Sequence, residues 1–114
     1  MNTRKIKISS DIFKTFPGFK RGIIVVNDIQ VVEKNKRIKK PLNKIIKQRQ
    51  SEDIDYSGHP FIKAWNAAHL KFGSDPEKFP PSIKSLLSRV KDGGGLPFIN
   101  AVVTLFNYIS IKYI

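Results

Sequence analysis

Four consecutive β-branched residues, Ile23 to Val26 in the stretch RGIIVVNDIQVV, constrain what this chain can fold into more than any other feature. Two heavy atoms on Cβ stiffen these side chains and favour the pleated backbone over the helix. With no polar residue alternating among them, the run suits a strand buried on both faces. Asn27 and Asp28 mark a turn or the strand end, which leaves the assignment of IQVV open. Two further stretches read as strands. RKIKIS alternates Ile6 and Ile8 with basic residues, the pattern of a half-buried strand. ISIKYI, residues 109–114, reads as an apolar strand with no later partner.

Helices account for most of the remainder. DIFKTF follows the cap candidates Ser9, Ser10 and Asp11 and stops at Pro17 and Gly18. In KNKRIKKPLNKIIKQR, residues 34–49, Pro41 is expected to separate a loop from a helix whose stripe is Leu42, Ile45 and Ile46. SEDIDYSG is a turn-rich loop. HPFIKAWNAAHLKFG has Pro60 at a helix start and Gly73 at its end, with Phe61, Trp65, Ala68 and Phe72 on one face. PSIKSLLSRVKDGGG carries the stripe Ile83, Leu86, Leu87 and Val90 and ends in three glycines. FINAVVTLFNYI is a last helix, with Ile99, Val102, Val103, Phe106 and Ile109 turned inward. Strands mixed with helices in this order predict one α+β domain over residues 1–114, a small mixed sheet with helices packed against it.

Charge speaks about partners. Twenty-one Lys and Arg against nine Asp and Glu give +12, a field that attracts polyanions, of which nucleic acid is the commonest in cells. Eight of the cations fall within residues 34–49 with no acid between them: Lys34, Lys36, Arg37, Lys39, Lys40, Lys44, Lys47 and Arg49. This stretch suits a phosphate backbone, and a solvated helix face is the alternative. No aromatic residue interleaves with these cations, so neither base stacking nor base readout is signalled. No apolar run reaches the ~18–20 residues that span a bilayer. The opening MNTRKIKISS lacks the apolar stretch of a secretory signal, and the sequence has no cysteine, so a cytoplasmic location is expected.

Catalytic candidates are scarce. The two histidines, His59 and His69, lie ten residues apart, about 15 Å along a helix, too far to ligate one metal. KDGGGLP follows one helix and precedes another, and its spacing matches no phosphate-binding loop, so a helix cap is the better reading. Asn100, Thr104 and Asn107, at i, i+4 and i+7, share one helix face, where they line a pocket or tie the helix to a neighbour. The chain is expected to carry no catalytic residue, metal or cofactor of its own.

The C-terminal third, SIKSLLSRVKDGGGLPFINAVVTLFNYISIKYI, resembles the tRNA-binding and editing region (the B3/B4 domain) of the phenylalanyl-tRNA synthetase beta chain and its free-standing relatives. Pro81, Ser82, Leu86, Arg89, Val90, Leu96, Pro97, Ile99, Asn100, Val102, Val103, Asn107, Ile109 and Ser110 fit the family pattern. Upstream, FPGFKRGIIVV resembles its opening turn and first long strand, and IKAWNAAHLKFG its aromatic helix. The resemblance implies a mixed sheet and an association with tRNA or aminoacyl-tRNA. In the synthetase this region hydrolyses tRNA mischarged with tyrosine, using a histidine and a glutamate from a part of the domain that has no counterpart here. It therefore implies the first half of such a domain, binding RNA without complete editing machinery. The alternatives are a trans-acting aminoacyl-tRNA hydrolase completed by a partner chain, or an interaction fragment that self-associates or binds a partner through the edge strand Ile109–Ile114.

Overall fold

The computed structural model describes residues 3–33, 35–96 and 98–114. Among them the regular structure is helical throughout: α1 (Ser10–Thr15), α2 (Lys36–Ser51), α3 (Pro60–Lys71), α4 (Ser82–Lys91) and α5 (Ala101–Tyr113), with a 3₁₀ turn at Tyr56–Gly58 before α3. No strand forms among the described residues, which overturns the expected α+β fold with its mixed sheet. Ile23 to Val26 lie in irregular chain with no ladder partner, and RKIKIS does the same. β-Propensity measures fit to a paired, covered surface, and neither segment meets another strand. The segment 109–114, expected as an edge strand, continues α5 as far as Tyr113. No breaker stands between Ala101 and Tyr113, so the helix ladder extends through the β-branched residues and offers no strand edge.

The core is built by α2, α4 and α5. Leu42, Ile45 and Ile46 of α2 meet Val90 of α4, Leu96 and Ile111 of α5, with Leu86 and Tyr108 packed at the margin. The predicted stripes of α2 and α4 are therefore the ones used. A second cluster joins Tyr56, Ile62 and Leu87, with Ile83 and Ile114 against it, so α4 forms the wall between the two. α2 runs unbroken through Pro41, contrary to the loop expected there. The proline stands on the exposed side near the helix start, and burial of the stripe that follows outweighs one missing backbone bond.

Two helices turn the other way from their expected faces. In α3 the buried residue is Ile62, while Phe61, Trp65 and Phe72 remain exposed. In α5 the buried residues are Thr104 and Ile111, while Val103, Phe106 and Ile109 are exposed, as is Ile99 just ahead of the helix. Both helices carry apolar residues around most of their circumference, so periodicity alone could not choose the inward side.

The glycines after α4 act as its cap. Gly93 N–H donates to Val90 O at 3.1 Å and Gly94 N–H to Arg89 O at 3.0 Å, with Gly93 at φ 83°. A Cβ on Gly94 would stand 2.9 Å from Arg89 O, whereas one on Gly95 would meet open space. Gly94→Ala is expected to cost about 1–2 kcal/mol and lower the melting temperature by about 4–8 °C or more. Gly95→Ala should leave a thermal melt nearly unchanged.

Residues 16–33 form an arm outside the core. Phe16 meets the edge of Phe72 with ring centroids 6.5 Å apart, and Val32 O accepts from Ala101 N–H at 2.9 Å. The molecule is flat, 43 × 41 × 21 Å, with a radius of gyration of 16.7 Å. A compact domain of about 100 residues would have a radius near 13 Å. Among the described residues no helix is long and apolar enough to cross a membrane.

Candidate nucleic-acid interface

α2 owes its register to its two ends and its stripe. Asn35 caps it, its Oδ1 accepting from Arg37 N–H at 2.9 Å. With Leu42, Ile45 and Ile46 seated in the core, the opposite side of the same helix carries Lys36, Lys39, Lys40, Lys44 and Lys47, with Arg37 at its edge, all exposed. Six of the eight predicted cations thus come together on one surface. Lys34 lies outside the described residues. Arg49 goes elsewhere.

Two shallow grooves flank the basic ridge. One, of about 600 Å³, runs between α2 and α5 and is lined by Lys36, Arg37, Lys40, Lys44, Gln48, Tyr108 and Lys112, with Pro41 and Ile45 at its base. The other, about 530 Å³, is lined by Lys36, Lys39, Lys40, Asn43, Lys44 and Lys47. No carboxylate lines either groove. Lys112 stands 5.6 Å from the Tyr108 ring centre and 5.1 Å from that of Tyr113. Hydrogen bonding to the Tyr108 and then the Tyr113 side chain raises its pKa above the ordinary lysine value, so it stays charged at any physiological pH.

This arrangement works against helix stability. Lys36, Arg37 and Lys39 occupy the first turns of α2, where no acidic residue offsets the positive end of the dipole. Like charges at i, i+3 and i, i+4, such as Lys36/Lys40 and Lys40/Lys44, each cost about 0.2–0.5 kcal/mol. A polyanion would relieve both effects at once. The chemistry on offer is electrostatic: ammonium and guanidinium donors for phosphate oxygens, with Gln48 and Asn43 as neutral donors beside them.

Arg49 continues the apolar stripe as the residue seven beyond Leu42, and its side chain is 13% exposed. Its Nε donates to Ile111 O at 3.0 Å and Nη2 to Lys112 O at 2.8 Å, satisfying carbonyls that the end of α5 leaves without helix partners. Nη1 donates to both carboxylate oxygens of Glu52 at 3.1 Å. The Tyr56 hydroxyl donates to Glu52 from the other side, and Lys91 Nζ to the Glu52 carbonyl. Arg49 is thus a structural tie, and phosphate would have to compete with three intramolecular acceptors for it.

The tie has a pH signature. The bond from Tyr56, followed by those from Arg49 and Gln48, holds the Glu52 carboxyl below its ordinary 4.5, despite a desolvation that pushes it upward. Burial, and then the bond to Glu52, push the Tyr56 hydroxyl above 10.0. A carboxyl depressed in the folded state stabilises above its unfolded value and loses that contribution as pH falls through its folded value. Urea midpoints should therefore drop as pH is lowered below 4.5 through the folded pKa of Glu52, and Glu52→Gln should flatten that part of the profile while lowering stability at neutral pH.

The remaining candidates have structural positions. Asn100 caps α5, its Oδ1 accepting from Val103 N–H at 2.9 Å. Thr104 is 1% exposed and Asn107 is half-buried, and neither lines the basic grooves. His59 caps α3, its Nδ1 accepting from Phe61 N–H at 3.2 Å. The His69 ring lies 4.9 Å from Phe72. No group of three or more His, Asp and Glu gathers among the described residues. Lys112 and Tyr108 were missed from sequence because 109–114 read as a strand. Extending the helix to Tyr113 would have placed them four residues apart on one face. No protein-family model, curated protein or solved structure matches the chain.

Proposed function

We propose that this chain is a non-catalytic RNA-binding module that grips the phosphate backbone with the basic face of α2, extended by Lys112 of α5. The observation that carries the reading is the convergence of Lys36, Arg37, Lys40, Lys44 and Lys112 on one acid-free groove. Phosphate contacts position a nucleic acid without reading its bases, so the module discriminates by shape and charge density rather than by sequence. tRNA is the form of RNA favoured by the resemblance of the C-terminal third to the B3/B4 region. The mixed sheet implied by that resemblance is absent among the described residues, so the basic face supports the proposal more strongly than the resemblance does.

Fluorescence anisotropy with labelled tRNA across a salt series tests the proposal. Binding that weakens steeply with salt is expected, with a log–log slope of about −3.5 to −4.5 for five neutralised phosphates. No measurable binding at low salt would sink the idea.

A further inference from the structure

The arm from Lys20 to Glu33 is the part of the molecule least accounted for. Ile24 is 91% exposed and Val25 73%, and Ile23, Val26, Ile29, Val31 and Val32 are also open to solvent. Among the described residues, no backbone group from 20 to 31 finds a backbone partner. The accessible surface of the whole chain is 9336 Å². A compact monomer of this mass would expose only about 6,300 Å², which leaves an excess of about 3,000 Å². That is ample for a standard interface, which takes about 800 Å² from each partner.

The chemistry of the arm differs from the rest of the chain. Within +12 overall, residues 20–33 hold two cations, Lys20 and Arg21, and two anions, Asp28 and Glu33. A neutral, apolar segment is not a surface for RNA phosphates. Its charges are also ordered, with cations at the start and anions toward the end. Two such segments laid antiparallel therefore bring opposite charges together, where parallel alignment would bring like charges together.

We infer that the arm is a self-association site in which Ile23–Val26 pairs antiparallel with the same residues of a second copy. A two-fold axis between Ile24 and Val25 sets Ile24 opposite Val25, Ile23 opposite Val26, and Arg21 opposite Asp28, each pair occurring twice. Every β-branched residue of the run then faces another, and the unpaired backbone groups gain partners. A two-stranded ribbon alone is marginal in water, so its faces need cover. Phe13 and Phe19 lie beside the arm, packed edge to face with centroids 6.2 Å apart, and both are partly exposed. They supply apolar surface next to the pairing segment.

Sedimentation velocity and light scattering on the full chain over a concentration series test this inference. A concentration-dependent shift to twice 13.0 kDa is expected. Val25→Lys, which sets an ammonium opposite Ile24 twice over, should raise the dissociation constant about 100-fold. Its helical circular dichroism should not change, because the arm lies outside both core clusters. Arg21→Asp should weaken the dimer about tenfold by opposing like charges, and adding Asp28→Arg should restore it. A strict monomer at the highest concentration, or a dimer indifferent to Val25→Lys, overturns the site. Failure of the charge swap to restore the dimer overturns the antiparallel register.

Discussion

Replacing Lys36, Lys40, Lys44 and Lys112 together with Gln is expected to abolish most of the affinity for tRNA while leaving the fold intact. Wild-type binding through five phosphate contacts should fall about 100- to 500-fold between about 50 and 200 mM salt. Removing four of the five should reduce the magnitude of the log–log slope by about 3, because each contact contributes about 0.7–0.9. Lys112→Gln alone carries the structural part of the test. It lies more than sixty residues from α2 in sequence, yet should reduce the slope as much as Lys44→Gln does. Equal slopes for Lys112→Gln and wild type would show that the phosphate path avoids the groove between α2 and α5. The α2 variants Lys36→Gln and Lys40→Gln should also be slightly more stable than wild type, since like-charge pairs and, at the helix start, an unfavourable dipole interaction are removed. Loss of binding accompanied by gain of stability separates an interface residue from a structural one.

Arg49 is expected to behave in the opposite way. Arg49→Met removes the donors to Ile111 O and Lys112 O and leaves Glu52 without its guanidinium partner. Stranding a part-buried carboxylate and two helix-terminal carbonyls should cost about 3 kcal/mol. This is a large fraction of the ~5–15 kcal/mol by which a domain of this size is stable. Arg49→Lys should recover little, because an ammonium cannot reproduce a planar fork that reaches three acceptors. Denaturant unfolding checks both variants. Conditions that keep Arg49→Met folded should leave its salt slope for tRNA unchanged, whereas a slope lowered by one contact would return Arg49 to the binding surface.

The difference between Arg49 and Lys44 could have been read from spacing. Arg49 follows Leu42, Ile45 and Ile46 at i+7 from the first, within the apolar stripe, while Lys44 and Lys47 fall outside it. The signal was obscured by composition, since eight cations in a row of sixteen residues look like one surface. The helices α3 and α4 and their caps, Pro60, Gly73 and Gly93, were legible because capping is local chemistry. The strands were not. Ile23–Val26 and ISIKYI have the same β-branched character, yet one is an unpaired arm and the other the last turns of a helix.

The sequence by itself therefore determined the apolar stripes of α2 and α4, their C-terminal ends, the caps around α3, and the concentration of cations in residues 34–49. Those depend on contacts between near neighbours along the chain. Tertiary structure alone decided which side of α3 and α5 turns inward, that Arg49 serves as a tie, and that Lys112 joins the groove. Each of these depends on residues outside the element itself, from Leu87, which packs on Ile62 of α3, to Ile111, whose carbonyl Arg49 reaches across the chain. It also decided that no sheet forms among the described residues, because a strand needs a partner to satisfy its backbone, whereas a helix finds its hydrogen bonds within itself.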